Sequence, residues 1–406
     1  MRSLRSFWSF IEGSASILLR GSRAYFGWIA FLVTMILIGG VAYANQAIFG
    51  LITSNMRDQV SWGFYIGNFA FMVGVAAAAV VLVIPAYVYD WKPIREVVLL
   101  GELMAIAAII MSVLFVTVDL GRPERFWHLL PLLGNPNFPF SLLVWDVLVL
   151  SAYFLINYFI VTYLLYKGYT GQKYSSAFIL PIIFLSIPLA VSIHTVTAFL
   201  FMGLKARGFW HTAILAPRFL ASAFCSGPAI LLLIFQVQRR VGTIPISDRA
   251  LRKIGELIAY ALAVNLFFVA AEAFTEFYAL RAESIHAELQ WFGVPGRRDI
   301  AFYSWVSLGT QILAFIGFAV PALRNRFVVL NFASVLAIVG VFIEKGMGLL
   351  VPGMTPDMLG EVYFYVPSMN EVLVAVGVWG VGALLFTLMS RVAMAVSDGS
   401  LRQPAS

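Results

Sequence analysis

The sequence predicts an all-α polytopic membrane protein that crosses the bilayer about ten times. Of its 406 residues, 61% are hydrophobic and 12% are charged, whereas soluble domains are about half apolar and about a quarter charged. The apolar residues form repeated runs of roughly 20 residues or more, the length that a helix needs to cross about 30 Å of hydrocarbon. These observations exclude an ordinary soluble globule.

Ten apolar segments are long enough to span the membrane. Pro85, Pro188 and Pro228 lie inside such segments and are candidate kinks, because proline removes a helical hydrogen-bond donor. Several segments exceed 25 residues, so we expect them to tilt or protrude. The predicted spans are about 27–50, 62–90, 95–118, 139–166, 176–204, 212–238, 254–280, 301–323, 327–351 and 370–393.

Charges between the spans predict the orientation. The apolar run after residues 1–26 is too long for a signal-peptide core, so we expect the first span to stay in the protein. The two termini and the loops after spans two, four, six and eight hold 17 lysines and arginines, against 8 in the other loops. By the positive-inside rule, both termini are predicted to be cytoplasmic at the inner membrane, and the stretch DLGRPERFWHLL at 119–130 lies on the outer face.

The chain has one cysteine, Cys225. Iron–sulfur clusters, thiolate zinc sites and intrachain disulfides each need at least two, so none of them is expected within this chain. The net charge of +7 would suggest nucleic acid in a soluble protein, but here the basic residues lie between the spans. Membrane topology therefore explains the charge, and nucleic acid is not an expected partner.

Ionisable side chains inside the predicted spans concentrate in the outer half of the membrane. A charge at mid-membrane costs about 2.5–3.5 kcal/mol on insertion scales, so such residues are functional candidates. Independent structural residues would scatter over both halves, yet the inner half holds only Glu102 and Asn157 well inside a span. The outer set is Asp119, Asp146, His194, Arg218, Glu272, Glu276, Glu344 and Lys345, with Arg122, Arg125, His128 and His211 in loops on the same side.

Structural roles are open for each of these residues. Asp119 could cap the third span, and Asp146 could pair with Arg218. Glu344 and Lys345 could be a pair at a helix end whose heads extend to the interface.

In the seventh span, Asn265, Glu272 and Glu276 are spaced seven and four apart and share one helix face. They could form a polar stripe towards the interior. Glu276 alone could equally be an interfacial residue.

The segments SIHTVTAF and GFWHTAILAPRF combine aromatic residues with His194, His211 and Arg218. Interfacial aromatics are often belt residues, and a lone buried histidine is more often a packing residue than a ligand. However, an apolar aromatic slot with a histidine and a carboxylate is also what a quinone head group needs. It offers a ring to stack on, a donor to each carbonyl and a base for the released proton, and histidine titrates near neutral pH.

Several motifs in order carry a family resemblance. They are DLGRPERFWHLL, WDVLVLSAYFLIN, SIHTVTAF, GFWHTAILAPRF, AEAFTEFY and IEKGMGLLVPGMTPD. In these motifs the chain resembles the NrfD/PsrC family of polysulfide-reductase-type membrane subunits, which anchor periplasmic iron–sulfur and redox subunits and exchange electrons with quinones. It is most similar to the ten-span quinone-interacting subunits of the Dsr type (DsrP-like) and the Hmc type (HmcC-like), over roughly residues 25–395.

The resemblance implies a transmembrane domain at 27–395 that contains two four-helix bundles, at about 62–204 and 212–351, with flanking helices. Residues 1–26 and 396–406 would then be cytoplasmic. It also implies a quinone or menaquinone pocket near the outer face, with no haem or iron–sulfur cluster in this chain. The implied partners are a periplasmic ferredoxin-like iron–sulfur subunit and cytochrome-containing subunits of a respiratory complex in sulfur metabolism.

Site residues follow from the matching motifs. The chain would act as the quinol-oxidising or quinone-reducing subunit of an oxidoreductase complex and not as an enzyme alone. The expected quinone-binding residues are Asp119, Arg122, His128, Asp146, His194, His211 and Arg218, and the expected proton-handling residues are Asp146, His194, Glu272 and Glu276.

Two other functions remain alternatives. An ion-coupled secondary transporter would also use buried acids and kinked helices, and it predicts matched broken segments in two inverted halves. A di-haem cytochrome b needs paired histidines on facing helices, whereas only His194 is deeply embedded here. The sequence therefore favours the quinone-binding subunit.

Overall fold

The predicted all-α membrane fold is confirmed by a computed structural model. The structure describes residues 2–89, 91–95, 97–130, 133–241, 246–279, 284–294, 298–357 and 359–403. Over these residues, nine helices are long and apolar enough to cross a membrane, and there is no β-strand. Residues 90 and 280, at which two predicted spans end, lie outside the described residues. So do residue 1 and residues 404–406.

The spanning helices begin and end within a few residues of the predicted segments. Two of them, α8 and α9, continue through Pro188 and Pro228. In chain order the helices are α1 (Arg2–Leu18), α2 (Arg23–Phe49), α3 (Phe64–Ala77), α4 (Ala79–Val83), α5 (Lys92–Arg95), α6 (Val98–Asp119), α7 (Leu142–Tyr169), α8 (Ser176–Met202), α9 (Leu215–Val241), α10 (Asp248–Ala279), α11 (Ser284–Trp291), α12 (Asp299–Ala319), α13 (Pro321–Arg324), α14 (Phe327–Lys345), α15 (Met347–Met354) and α16 (Met369–Ser397).

The second and ninth spans are interrupted. In the second span, α3 and α4 are followed by a π-helical turn at Ile84–Val88 that contains Pro85, because proline cannot continue the helical hydrogen-bond ladder. In the ninth span, Gly346 separates α14 from α15. Gly346 lies against Gly67 of α3, where an added Cβ atom would be 2.9 Å from the Gly346 Cα atom. Small residues thus let the two backbones approach closely.

The helices pack as two groups of four with a flanking pair. In the first group α3, α6, α7 and α8 contact one another, and in the second group α9, α10, α12 and α14 do so. Contacts of α3 with α9 and α14, and of α8 with α9, join the groups. The flanking helices α2 and α16 meet at Gly39 and Gly377, where an added Cβ atom on Gly39 would be 2.4 Å from the Gly377 Cα atom.

The loop before α16 is fixed to the first group at the helix ends opposite the start of α2 and the end of α16, which we call the outer ends. Ser368 caps α16, and the Glu371 carboxylate accepts hydrogen bonds from the backbone N–H groups of Ser368 (2.8 Å) and Asn55 (2.9 Å). Tyr365 donates to Glu371 and accepts from the Phe64 N–H at 2.7 Å. Burial, with the nearby Glu371 carboxylate, raises the pKa of Tyr365. The phenol therefore stays protonated and keeps donating to Glu371.

Helix α1 was not predicted from the sequence. It is short, and six of its 17 residues are serine or glycine, residues that are not strong helix formers. Its Phe10 side chain is buried against the Tyr169 ring of α7, with the ring centroids 5.2 Å apart. Tertiary packing thus stabilises a helix that intrinsic propensity alone does not indicate.

Candidate functional site

Asp146 and His194 lie in the outer half of the first helix group. Helix α7 begins after Ser141, whose hydroxyl accepts a hydrogen bond from the Val144 N–H, and Asp146 follows in the first turn and a half. Helix α8 carries His194 and Thr197 about one turn apart, so both side chains project from one side of the helix. The Thr197 hydroxyl donates to the Asp146 carboxylate at 2.7 Å, and all three residues are buried.

The His194 ring is fully enclosed, and the backbone of Ala190, one helical turn earlier, lies within its reach. Neither ring nitrogen meets an acceptor or donor of good geometry within the described part of the chain. An unsatisfied buried polar group costs about 1–3 kcal/mol, and native proteins keep few of them. This site is therefore a candidate for a group that exchanges a proton.

A second polar cluster lies in the outer half of the second helix group. Arg218 of α9 bridges two carboxylates, Glu272 of α10 and Glu344 of α14, and its Nε donates to Glu344 at 2.9 Å. The second oxygen of Glu344 accepts hydrogen bonds from Asn265 (3.0 Å) and Gln311 (2.8 Å). The Arg218 and Glu344 side chains are nine-tenths buried. The buried guanidinium of Arg218 thus faces two carboxylates, and the side-chain amides of Asn265 and Gln311 donate to Glu344, so the buried charged groups have partners.

Two structural roles considered from the sequence, an Asp146–Arg218 pair and an interfacial Glu344–Lys345 pair, are not found among the residues that the structure describes. Asp146 pairs with Thr197 and not with Arg218. Glu344 and Lys345 do not extend to the interface, since they are 8% and 2% exposed. The partner of Asp146 and the burial of Glu344 and Lys345 depend on which helices pack against them, and a local sequence pattern does not reveal this.

Lys345 lies where the two helix groups meet. Its Nζ atom donates to the Phe219 carbonyl at 3.1 Å and lies 4.9 Å from the centre of the Phe219 ring. On the other side is Gly74 of α3, where an added Cβ atom would be 3.0 Å from Nζ. The lysine is also within electrostatic range of His194. It therefore connects the His194 environment with the Arg218 cluster.

A cavity lies at the outer end of α2, beside the DLGRPERFWHLL stretch. Its volume is about 260 Å³, and its lining is Tyr43, Gln46, Ala47, Gly50, Leu51, Leu120, Gly121, Arg122, Pro123 and Glu124. Leu120 and Gly121 directly follow Asp119. One carboxylate oxygen of Asp119 is buried without a hydrogen-bonding partner among the described residues.

Gln46 connects this cavity to the first helix group. Its amide nitrogen donates to the Val118 carbonyl at 2.6 Å, and its amide oxygen accepts from the Tyr65 hydroxyl at 2.6 Å. Tyr65 is in turn within electrostatic range of the Asp119 carboxylate. Sequence reasoning missed Gln46 and Tyr65, because single polar residues near the ends of apolar spans are not distinctive.

The other expected site residues lie outside these buried clusters. Arg122 is exposed and pairs with Glu124 at 3.5 Å, and His128 is exposed and stacks on Trp127. His211 is exposed in the loop before α9, and Glu276 is half-buried one turn beyond Glu272. Arg122 still borders the outer cavity. The structure therefore does not bring His128 or His211 into the clusters around Asp146, Arg218 or Asp119, whereas Glu276 lies at the edge of the Arg218 cluster, within electrostatic range of Glu272.

Potential metal ligands are dispersed over the described residues. These residues contain no group of three or more His, Cys, Asp or Glu side chains placed to hold a metal ion. Cys225 is buried in α9, and its thiol donates to the Ala221 carbonyl.

Comparison with known proteins identifies the family. The family model described as polysulphide reductase, NrfD, matches residues 53–355. A putative dimethyl sulfoxide reductase membrane subunit from Halobacterium salinarum is 27% identical over 402 residues, which cover 88% of this chain and 89% of the relative. A selenate reductase subunit from Mesobacillus selenatarsenatis is 22% identical, covering 90% and 92%.

A third relative has a quinol in its name. The Hdr-like menaquinol oxidoreductase integral membrane subunit from Archaeoglobus fulgidus is 23% identical over 392 residues, which cover 90% of this chain and 92% of the relative. The family match covers about three quarters of the chain and includes both buried clusters. The chain therefore belongs to the NrfD family of polysulphide-reductase membrane proteins.

Proposed function

We propose that this chain is the quinone-binding membrane subunit of a multisubunit respiratory oxidoreductase. The observation that carries the proposal is the cavity of about 260 Å³ whose lining residues Leu120 and Gly121 directly follow Asp119, a residue with one carboxylate oxygen buried and without a hydrogen-bonding partner among the described residues. Membership of the NrfD family supports it, as does the relative that is named a menaquinol oxidoreductase membrane subunit.

The outer cavity offers what a quinone head group requires. Ligand pockets are mostly apolar and carry a few polar groups that fix orientation. Here Leu51, Leu120 and Pro123 supply apolar surface, while the Tyr43 hydroxyl and the Arg122 guanidinium supply donors for the quinone carbonyls. Ala47 extends the lining along α2, a helix whose neighbouring residues Ile48 and Phe49 are exposed to the bilayer. We therefore place the head group here and the isoprenoid tail along α2.

The buried carboxylates and His194 would handle the protons. Oxidation of a quinol releases two protons with two electrons, so a base must lie near the head group. Glu124 lines the cavity but pairs with Arg122, so we assign this role to Asp119, which directly precedes the lining residues Leu120 and Gly121. In this proposal Asp146, held by Thr197, and His194 accept protons deeper in the first helix group. Arg218, Glu272 and Glu276 extend the relay in the second helix group.

The electrons would leave on a partner protein. We infer a ferredoxin-like iron–sulfur subunit at the outer face and a cytochrome-containing subunit in the same complex, as in Dsr- and Hmc-type complexes of sulfur metabolism. The positive-inside distribution supports an outer, periplasmic position for the cavity, with both termini in the cytoplasm. The chain by itself would bind the quinone without turning it over.

One observation favours the alternative, an ion-coupled transporter. The second and ninth spans are both interrupted, and interrupted helices form the ion and substrate sites of many transporters. The interruptions do not match, however, because α3 and α4 break in the inner part of the second span and α14 breaks near the outer end of the ninth. The quinone proposal is therefore better supported. Substrate uptake by the chain alone in liposomes would instead establish a transporter.

The cavity assignment is tested by filling the cavity. In Gly121→Phe, the new ring would occupy the space, and the first added atom is tolerated because it lies 3.7 Å from the Leu51 side chain. We expect binding of a fluorescent hydroxyquinoline N-oxide, a menaquinol mimic, to weaken at least about tenfold, equivalent to about 1.4 kcal/mol. Fluorescence quenching with the purified chain in nanodiscs measures this dissociation constant.

The matched control is Gly309→Phe on α12, in the second helix group. No atom of another element of the described chain lies within 4 Å of a Cβ atom added there. Binding to this control is expected to equal that of the unaltered chain. Equal binding by Gly121→Phe and Gly309→Phe would show that the analogue binds somewhere else.

A further inference from the structure

The surface of α1 carries apolar side chains on two separate sides. Phe10 is 8% exposed and packs against α7. Phe7, Trp8 and Ile11 are 38%, 61% and 40% exposed, and of these Phe7 meets the Tyr166 ring along one edge. Since the α-helical period places Phe7 and Ile11 on one face, α1 has one apolar face packed on the protein and a second that the described chain covers only in part.

The position of α1 along the membrane normal can be deduced from its contacts. Phe7 and Phe10 contact the ring of Tyr166, and Phe10 also contacts Tyr169, in the last turn of α7. Gly13 lies against Leu401, just beyond the end of α16. The ends of spanning helices mark the boundary between hydrocarbon and head groups. Helix α1 therefore lies across this boundary, on the side of the molecule that carries both termini.

Hydrogen bonds fix the orientation of α1. The Arg391 Nε donates to the Ile17 carbonyl at 3.2 Å, and its guanidinium also donates to the Arg20 carbonyl. The same guanidinium stacks over the Tyr25 ring at 4.0 Å, and the Tyr25 hydroxyl donates to the Leu18 carbonyl. Arg391 thus ties the C-terminal end of α1 to α16. These contacts fix the rotation of α1 relative to α16, so its exposed apolar face points away from the helix bundle.

The charge of this segment matches an anionic surface. Residues 1–26 contain four arginines, Arg2, Arg5, Arg20 and Arg23, and one acidic residue, Glu12. Basic residues near a membrane are attracted to anionic lipid head groups, and an amphipathic helix with aromatic residues on its apolar face typically lies in the interface plane. The depth of α1, its exposed apolar face and its positive charge therefore all favour an anionic lipid surface as the partner.

We propose that α1 is a membrane-surface helix that binds the anionic lipid leaflet on the side of the two termini. Phe7 and Ile11 enter the boundary of the acyl chains, Trp8 lies at head-group level, and the serine-rich face is turned to water. The helix braces the ends of α7 and α16 from the lipid side. This role is independent of quinone binding, because α1 and the outer cavity lie at opposite ends of the spanning helices.

Site-directed spin labelling tests this proposal. Cys225 is the one cysteine and is buried, so Cys225→Ser gives a background for Phe7→Cys and Ile11→Cys on the apolar face. The matched controls, Ser9→Cys and Ser16→Cys, lie on the opposite side of the same helix. The full chain is placed in nanodiscs of phosphatidylcholine with phosphatidylglycerol, and the accessibility of each label to oxygen and to a water-soluble nickel chelate is measured.

We expect the labels at positions 7 and 11 to be reached by oxygen and shielded from nickel, and the labels at 9 and 16 to show the reverse. Removing phosphatidylglycerol should reduce this contrast. If all four labels are open to nickel, α1 does not lie in the membrane. If positions 7 and 11 are shielded from both reagents, a second protein chain covers this face and the lipid assignment is wrong.

Discussion

Replacement of His194 by alanine is expected to abolish quinol oxidation while the complex still assembles. If the imidazole accepts a proton of the reaction, its loss should lower the rate by about 10²- to 10⁴-fold, the usual contribution of general acid–base catalysis. The change strands no side-chain partner, since no side chain of the described residues hydrogen-bonds to the ring, and its structural cost is that of the cavity left by a fully buried side chain. The assay is oxidation of a soluble menaquinol analogue by the native complex.

The control for this prediction is His211→Ala. His211 is exposed in a loop, so its variant is expected to oxidise quinol at the rate of the unaltered complex. Immunoblotting of the purified complex measures how much of each protein it contains, which separates loss of chemistry from loss of assembly. Turnover of the His194→Ala complex within about twofold of normal would remove His194 from the proton pathway.

Replacement of Arg218 by methionine is expected to destabilise the second helix group strongly. The change would leave Glu272 and Glu344 buried without their shared cation. Breaking a buried ion pair by removal of one partner costs about 3–5 kcal/mol, because an uncompensated charge stays in a low-dielectric environment. Unfolding of the purified chain in detergent micelles, followed by circular dichroism with increasing denaturant, measures the change in the free energy of unfolding.

Two further variants make this second prediction specific. The triple change Arg218→Met, Glu272→Gln and Glu344→Gln removes the stranded charges and should recover much of the lost stability. Arg239→Met breaks an ion pair with Asp248 whose side chains are more than two-fifths exposed, and such pairs contribute about 0–1 kcal/mol. If Arg218→Met proved as stable as Arg239→Met, the buried cluster would make no greater contribution to the free energy of unfolding than a surface ion pair.

The spans were predictable from the sequence because the cost of placing backbone and charge in hydrocarbon is local to each segment. Apolar length alone located α6 and α8 to within a few residues. The interruption at Gly346 was not predictable, since it depends on the close approach of Gly67 from another helix. Helix α1 was also missed, because its packing against Tyr166 and Tyr169 is what supports it.

The sequence indicated which ionisable residues are embedded in the membrane and about how deep they lie, but not which residues they contact. Charge in a lipid-facing segment is costly, so the embedded acids and His194 were candidates from the sequence. The helix neighbours that decide whether Asp146 meets Arg218 or Thr197 are a property of tertiary packing. Gln311, which completes the hydrogen bonding of Glu344, gave no signal of its own.

Photoaffinity labelling can show whether a quinone binds between the outer end of α2 and the DLGRPERFWHLL stretch. The complex is labelled with an azidonaphthoquinone, and the labelled peptides are identified by mass spectrometry. We expect adducts at residues 43–51 and 120–124 that excess menaquinol analogue suppresses. If suppressible adducts are confined to α9, α10 or α14, or if the analogue suppresses none, the quinone does not bind at this cavity.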